Sequence, residues 1–467
     1  MKKITLALFL ATTVAAVAQQ VPLDTQFTTG TGPDESVLAV RQLADGKILI
    51  AGNFFNYNGN VAGRIARLNS DGTYDSSFTT NAAGPVEAML TEEDGKFLIT
   101  QSSGGGLYRY NADGTIDTSF TRITFGGYGP YRLVKQGDKY IVAGDFTIYS
   151  NAGVLYTNVA RLNYDGTLDT TFAQTQLFNT TYVQVLAEPN GKIILAGAFS
   201  YFNNIAVPNI IRLNADGSLD TTFNAGTGTA GTIRGMAVQP DGKYIISGTF
   251  ESFNGVAKHL NARLNTDGSL DTTFNYTSTI GLPEDGIMGY DIIVQPDGKI
   301  LVGGMFNDAM EDIEGNPDGS VPVYLSRLNE DGSTDDTFIA PFDGTVFDLE
   351  VQDDGKLLVG GWFRNYDGQP QMSLARLDYN ALNTTGFQKA LFTMYPNPVT
   401  NILTIMGKDL NSANATVTVT DVLGKQIYSA AHNAAAMQVD MSGYNNGIYF
   451  IKIEANGTLF TQKILKN

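Results

Sequence analysis

Short runs in which apolar and polar residues alternate fill most of this 467-residue chain, and they come in pairs joined by Asp-Gly. In the first such block the runs are Val37–Leu43, Lys47–Phe54, Arg64–Asn69 and Thr73–Phe78. Alternation with a period of two predicts half-buried β-strands. Asp45-Gly46 joins the first two runs and Asp71-Gly72 the last two. Asp-Gly between apolar runs predicts a hairpin, because Gly supplies the positive φ that the turn requires. The first turn recurs as Asp94-Gly95-Lys96, Asn190-Gly191-Lys192, Asp241-Gly242-Lys243, Asp297-Gly298-Lys299 and Asp354-Gly355-Lys356, with Gly137-Asp138-Lys139 as a variant. The pattern therefore predicts seven units of four strands.

The second half of each unit carries a fixed phrase, Arg-Leu-Asn-x-Asp-Gly-[Ser/Thr]-x-Asp-x-x-Phe, with Tyr110 replacing Leu in one copy. It closes at Phe78, Phe120, Phe172, Phe223, Phe274 and Phe338, and a degraded copy runs from Arg376 to Phe387. A repeat of this length is one supersecondary piece that cannot bury its apolar face alone. Seven such pieces predict an all-β fold, a seven-bladed β-propeller of four-stranded blades, with a linear β-solenoid as the alternative. Leu23-Asp24-Thr25-Gln26-Phe27 is an eighth copy of the closing strand, placed before the first full unit. A ring can use it to complete the last blade, whereas a solenoid can use it only as a cap. Each closing Phe is expected to wedge between units, burying about 2 kcal/mol of apolar surface.

The motif Leu-Asn-x-Asp-Gly-[Ser/Thr]-Leu-Asp-Thr-Thr-Phe, preceded by Gln-Pro-Asp-Gly-Lys-Ile-Leu-Val-Gly-Gly, resembles the delta-60 repeat family over residues 23–387. The resemblance implies a propeller-like extracellular repeat with no general activity, and it carries over no catalytic residues. After Phe387 the pattern changes. Ile402–Met406, Thr416–Asp421, Ile427–Ser429, Gln438–Met441, Ile448–Ile453 and Leu459–Leu465 alternate as short strands of a small β-sandwich. This tail resembles the C-terminal sorting domain of type IX secretion cargo. The matching residues are Tyr395-Pro396-Asn397-Pro398, Val419-Thr420-Asp421-Val422-Leu423-Gly424-Lys425, Gly447-Ile448-Tyr449 and Lys463-Ile464-Leu465-Lys466. The resemblance implies export through the periplasm, by way of the secretion machinery, to the cell surface or the medium. The expected division is a signal peptide over 1–18, the repeat propeller over 19–387 and the sorting domain over 388–467.

Composition sharpens this picture. Lys2 and Lys3, the apolar stretch Ile4 to Ala16 and Ala16-Val17-Ala18 read as a secretory leader. No apolar run long enough for a membrane span follows it. With no Cys, an exported chain must rely on packing and strand pairing. The net charge is −17, and the leader and tail are both net basic, so the repeats are more acidic than the whole. That disfavours nucleic acid or an anionic membrane as partner. Cofactors are expected to be none, with calcium as the one possibility. Asn69, Asp71 and Asp75 alternate like oxygen ligands, but they lack the full loop and closing Glu of an EF-hand. The acidic insertion holding Asp308, Asp312, Glu314 and Asp318 is a second candidate for a cation.

Both Asp-Gly turns of a unit fall on one face of the ring. The variable connections 55–63, 145–158, 200–209, 251–261, 307–322 and 364–373 fall on the other, where binding usually lies. Aligned on the Asp-Gly-Lys turn, the first strands give one column: Ala39, Ala88, Tyr131, Gln184, Gly235, Asp291 and Asp348. Its neighbours are mostly apolar, so this small or polar column is assigned to the central channel. Asp291 and Asp348 then sit on adjacent blades, with Glu350 two residues along the same face. Clustered carboxylates raise one another's pKa or hold a cation. Tyr131, Gln184, Asp291, Asp348 and Glu350 are thus the candidate ligand-binding residues. Nucleophile, P-loop and zinc motifs do not occur, the two histidines are His259 and His432, and Trp362 is the single Trp. The expected function is a non-catalytic surface or secreted binding or scaffold protein for an extracellular glycan or protein. A carboxylate-dependent polysaccharide hydrolase or lyase and a structural surface-layer component are the alternatives.

Overall fold

The computed structural model describes residues 19–467, apart from 81, 83, 102–105, 179, 181, 277–287, 306–322, 379–392, 396–398, 408–414, 422–424, 433–435, 456, 457 and 467. The expected leader over 1–18, the insertion with Asp308, Asp312, Glu314 and Asp318, and the motif residues Pro396, Asn397, Pro398 and Gly424 lie outside the described residues.

Each unit folds as an antiparallel three-stranded ladder. In the first, Val37–Gln42 pairs with Ile48–Gly52, which pairs with Ile65–Leu68. Seven such ladders occur among the described residues. Middle strands such as Ile48–Gly52 and Tyr244–Gly248 are buried throughout, because both faces of each sheet meet a neighbouring sheet. That is why they read as continuous apolar runs rather than as alternation. The fourth run makes a single bridge instead of a ladder: Leu68↔Tyr74, Tyr110↔Ile116, Leu162↔Leu168, Leu213↔Leu219, Leu264↔Leu270 and Leu328↔Thr334. It bends away at once because the repeated Asp and Phe are drawn into the junction with the next blade.

The first strands touch in a closed circuit, Val37–Gln42 meeting both Val86–Thr91 on one side and Thr345–Val351 on the other. One apolar core joins Val37, Ile48 and Ile50 with Leu358 and Leu374, from the two ends of the repeat array. The architecture is a ring and not the linear solenoid. The N-terminal segment closes it. Leu23 bridges Leu377, the backbone N–H of Asp24 donates to the Arg376 carbonyl, and Val21 is fully buried. The eighth copy of the closing strand thus completes the last blade.

One clasp recurs at each junction. In the first blade Asp75 Oδ2 accepts from Lys47 Nζ at 2.6 Å and Arg67 Nε at 2.7 Å, while Oδ1 accepts from Ser77. Arg67 Nη1 donates to the Ala112 carbonyl in the next blade, and its guanidinium lies over the Phe78 ring. Asp117, Asp169, Asp220, Asp271 and Asp335 repeat the arrangement, and Asp24 supplies it to the last blade through Lys356 and Arg376. The Phe ring then packs on the Asn-x-Asp-Gly turn of the following blade: Phe27 on Gly72, Phe78 on Gly114, Phe172 on Gly217. Gly is needed there for two reasons, a φ near +87° at Gly217 and the neighbouring ring. Gly46, at φ +81° in the other turn, has nothing within 4 Å of an added Cβ. Gly46→Ala is expected to cost about 1 kcal/mol of backbone strain, and Gly217→Ala about 3 kcal/mol because overpacking against Phe172 adds to it. Urea unfolding of the two variants checks the difference.

The tail forms a three-stranded sheet (Thr393–Tyr395, Ile402–Met406, Ala436–Asp440) facing a four-stranded one (Ala415–Asp421, Gln426–His432, Gly447–Ala455, Thr458–Lys466). Leu403, Ile405, Val417, Val439, Ile451 and Ile464 fill the space between them, which makes it the expected small β-sandwich.

Candidate functional site

A strand that runs straight beside the ring axis would present alternate side chains to the channel. Six of the seven first strands instead carry a one-residue bulge, in most of them within the first three residues, for example between Val37 and Ala39 and between Gly289 and Asp291. A bulge turns the extra residue out of the ladder. Two rings of residues therefore surround the channel. The bulged ring holds Leu38, Glu87, Tyr131, Arg234, Tyr290 and Phe347; the unbulged fourth blade places Tyr182 beside it. The paired ring holds Ala39, Ala88, Arg132, Gln184, Gly235, Asp291 and Asp348.

The third unit differs from its expected alignment by one position. Its turn closes as Gln136↔Lys139 around two residues, whereas in the first unit Leu43 pairs with Lys47 around three. Counting back from the lysine therefore reaches Tyr131, although Arg132 opposite Ala143 is the equivalent of Ala39 opposite Ala51. The connection 145–158, expected as a loop, is instead drawn into long strands, Lys139–Tyr149 and Leu155–Leu162.

These rings enclose a cavity of about 540 Å³ at the hub. Tyr131, Gln184, Asp291 and Asp348 all line it; Glu350 does not. Asp291 and Asp348 come together as expected, and each also latches the next blade. Asp291 Oδ2 accepts from the backbone N–H of Leu349 at 2.9 Å, and Asp348 Oδ2 accepts from that of Val40 at 2.7 Å. Asp348 is further paired with Arg41 at 2.5 Å. Burial, then the negative charge of Asp348, push the Asp291 carboxyl up to about 7, although the Leu349 N–H and Arg41 oppose them. Burial works against the charged form of Arg41, but Asp348, Glu350 and Asp291 together hold its pKa above the ordinary arginine value. A ¹³C carboxyl titration is expected to find Asp291 half-protonated near pH 7, and Arg41→Leu is expected to move it higher still. An ordinary value near 4 would contradict the geometry.

Blades three to seven add cationic and aromatic side chains around the hub. Arg132 donates through Nε to Gln184 Oε1 at 2.8 Å and through Nη2 to the Tyr182 hydroxyl. Tyr131 and Tyr182 stack with centroids 5.5 Å apart, and the Arg234 guanidinium lies 4.5 Å from the Tyr182 ring centre. Tyr290 and Phe347 meet edge to face at 5.2 Å.

Arg41 was not among the candidates, although a signal existed. Two residues beyond the paired ring the units read Arg41, Leu90, Val134, Leu186, Ala237, Ile293 and Glu350. The two charged members are opposite in sign and belong to the first and last units, which touch only in a closed ring. At the repeat turns, Asp71 Oδ1 accepts from the Thr73 N–H and hydroxyl, Asn69 donates to Thr73, and Asp75 belongs to its clasp. Among the described residues no group of three or more His, Cys, Asp or Glu side chains gathers as a metal site. In the tail, Tyr449 and Lys466 are buried, Gly447 pairs with Lys466 and Phe450 with Lys463, and Tyr395 is exposed.

A closed ring of repeated blades followed by a β-sandwich tail defines a β-propeller with an appended C-terminal module. The family model described as a domain of unknown function (DUF5122) beta-propeller matches residues 43–78, 94–120, 136–172, 188–223, 239–274, 295–338 and 352–380. The chain belongs to this DUF5122 beta-propeller family. Residues 393–467 match the secretion system C-terminal sorting domain, which directs the chain to type IX secretion and so to the cell surface or the medium. Among solved structures, the WD40 beta propeller domain of Doa1 is similar at 14% identity, covering 77% of this chain and 98% of that one, with a TM-score of 0.49. PorZ, a surface component of the type IX secretion system of Porphyromonas gingivalis, is 12% identical, with 92% and 66% covered and a TM-score of 0.32. A streptogramin B lyase is 13% identical, with 74% and 94% covered and a TM-score of 0.39. Likenesses at this level carry no argument about function. No curated protein matches the chain. Among the described residues no helix is long and apolar enough to cross a membrane.

Proposed function

We propose that this is an exported, non-catalytic binding protein whose ligand sits in the hub cavity. One observation carries the reading: the units repeat their Lys, Arg, Asp and Phe almost without exception, and those residues are all used in the blade junctions. The channel rings do not repeat. They pass from Ala39 and Ala88 through Arg132 and Gln184 to Asp291 and Asp348, around an open space of about 540 Å³, a size that suits a small ligand. Departure from the repeat, at positions where the repeat places no structural demand, is where a specific function is expected. The leader over 1–18 and the sorting tail supply the route, and the machinery that reads the tail is the second partner.

A mature chain of residues 19–467, screened against small molecules by thermal shift, tests this. Ala88 lines the cavity, so Ala88→Trp fills it. Stabilisation by a ligand should disappear in that variant; stabilisation that survives places the site elsewhere. The raised Asp291 pKa beside Asp348 also favours a second reading, carboxylate-dependent glycan cleavage. Reducing-sugar release from polysaccharide that is lost in Asp348→Asn would establish it.

A further inference from the structure

Resting on the reading of the hub as a ligand site, we infer that its ligand is a neutral pyranose sugar, stacked on Tyr128 and hydrogen-bonded by Glu87 and Arg132. The first strand of the third blade carries the argument. This strand, Gly126–Gln136, breaks register twice, between Gly127 and Gly129 and between Pro130 and Arg132, while the other first strands do so once or not at all. The extra bulge turns Tyr128 out of the ladder. It needs glycine on both sides, at φ +84° for Gly127 and +98° for Gly129. A Cβ on Gly127 would also stand 2.8 Å from the Asp145 carbonyl oxygen. The other blades form their ladders without this second bulge. Its product is an aromatic ring that lines the cavity and is 73% exposed, which puts it where the cavity meets solvent. Of the other lining rings, Tyr131 and Tyr182 stack on each other, and Tyr290 and Phe347 meet edge to face. Among the described residues Tyr128 has no ring partner.

Glu87 stands close by on the second blade. A Cβ on Gly129 would lie 3.4 Å from the Gln101 carbonyl oxygen, and Gln101 pairs with Val86, the residue before Glu87. Glu87 lines the cavity half-buried, and among the described residues its carboxylate has no hydrogen-bond or ionic partner. Arg132 lines the cavity as well. Three of the five N–H groups of its guanidinium go to the Tyr131 carbonyl, Gln184 and the Tyr182 hydroxyl, which leaves one on each terminal nitrogen. An open acceptor and open donors suit hydroxyl groups, which both donate and accept. The C–H face of a pyranose supplies the apolar surface that an uncovered ring takes. The rest of the lining favours neither sign of charge. Asp348 is paired with Arg41, and the oxygens of Asp291 accept from the backbone N–H groups of Ile292 and Leu349. A cation would meet Arg132 and an anion Glu87, so a charged ligand loses on one contact what it gains on the other.

Calorimetry on the chain of residues 19–467 tests this with the neutral methyl pyranosides of glucose, galactose, mannose and N-acetylglucosamine, and with glucosamine and glucuronic acid as charged counterparts. At least one neutral pyranoside is expected to bind one to one, and more tightly than either charged sugar. Tyr128→Ala and Glu87→Ala should each weaken it at least fivefold, while Tyr128→Phe, which keeps the stacking face, should stay within twofold of the parent. Tighter binding of a longer chain of the same sugar would identify the end of a glycan as the ligand, and equal binding a single sugar. A neutral sugar bound as well by Tyr128→Ala or Glu87→Ala as by the parent overturns the inference, as does preference for a charged sugar. The hub then remains a ligand site if Ala88→Trp abolishes binding, and falls with the inference if it does not. Failure of every sugar to bind also overturns it, and the hub reading is then judged by the thermal-shift screen with Ala88→Trp alone.

Discussion

Removal of residues 19–28 from a chain of residues 19–467 is expected to abolish the cooperative unfolding of the propeller. The segment contributes to no blade of its own, yet the last blade is incomplete without it. Val21 is fully buried, Phe27 is 8% exposed against the Gly72 turn, and the Tyr366 hydroxyl donates to the Val21 carbonyl. Deleting buried side chains of this size costs about 2–5 kcal/mol each. Loss of Asp24 leaves Arg376 and Lys356 without their carboxylate, where removing one partner of a buried pair costs about 3–5 kcal/mol. Together these losses are on the order of the whole stability of an ordinary domain, about 5–15 kcal/mol. Trp362, the single Trp, stands at the end of the middle strand of that blade and reports on it by fluorescence. A melt within a few degrees of the parent would show that the segment is dispensable. Recovery of the transition on adding a peptide of residues 19–28 would show that the strand itself is what was lost.

The second large effect is expected at the repeated Asp. Asp271→Ala should cost about 3–5 kcal/mol, since Arg263 and Lys243 both lose their partner inside a blade junction. Asp267, four residues earlier, is exposed and caps Ser269 in the turn; its replacement should cost about 1 kcal/mol. The same clasps make the ring acid-sensitive. Burial disfavours the charged Asp271, but Lys243, Thr273 and Arg263 outweigh it and hold its pKa below the ordinary range, and the corresponding balance puts Asp335 at about 2. A lowered folded-state pKa means that this stabilisation is complete above the unfolded value near 4 and is lost as pH falls toward the folded one. The melting temperature should therefore drop steeply below pH 4, with the parent losing more than Asp271→Ala. Asp291 acts in the opposite sense. Its raised pKa makes stability decline gently between about pH 4 and pH 7, because the folded state then holds the extra proton.

How far the chain could be read without coordinates follows from what repeats. Strands, turns and ring closure were legible because the Asp-Gly turns and the closing Phe recur with few changes, and because Leu23–Phe27, which an open array could use only as a cap, completes a blade in a ring. The clasp was only half legible. Asp75 looked like a cation ligand, since nothing in sequence spacing says that Lys47 and Arg67 converge on one carboxylate. In the channel, the alignment failed where a turn lost one residue, at Gly137-Asp138, and so exchanged Tyr131 for Arg132. Bulges also left no trace in the pattern, which is why Tyr290 and Phe347 went unnoticed beside Asp291 and Asp348. Arg41 meets Asp348 across the full length of the array, a contact that depends on closure and not on neighbouring sequence.

Closure is thus the claim on which the hub and its cavity depend. A cysteine pair at Leu23 and Leu377, which face each other across the seam, tests it directly because the chain has no cysteine of its own. Mild oxidation of the double variant should give an intramolecular disulfide in nearly every molecule, seen as a faster-migrating monomer that reverts on reduction. Thiols that stay free, or link only between molecules, would mean that the two ends of the array lie apart and that no ring exists.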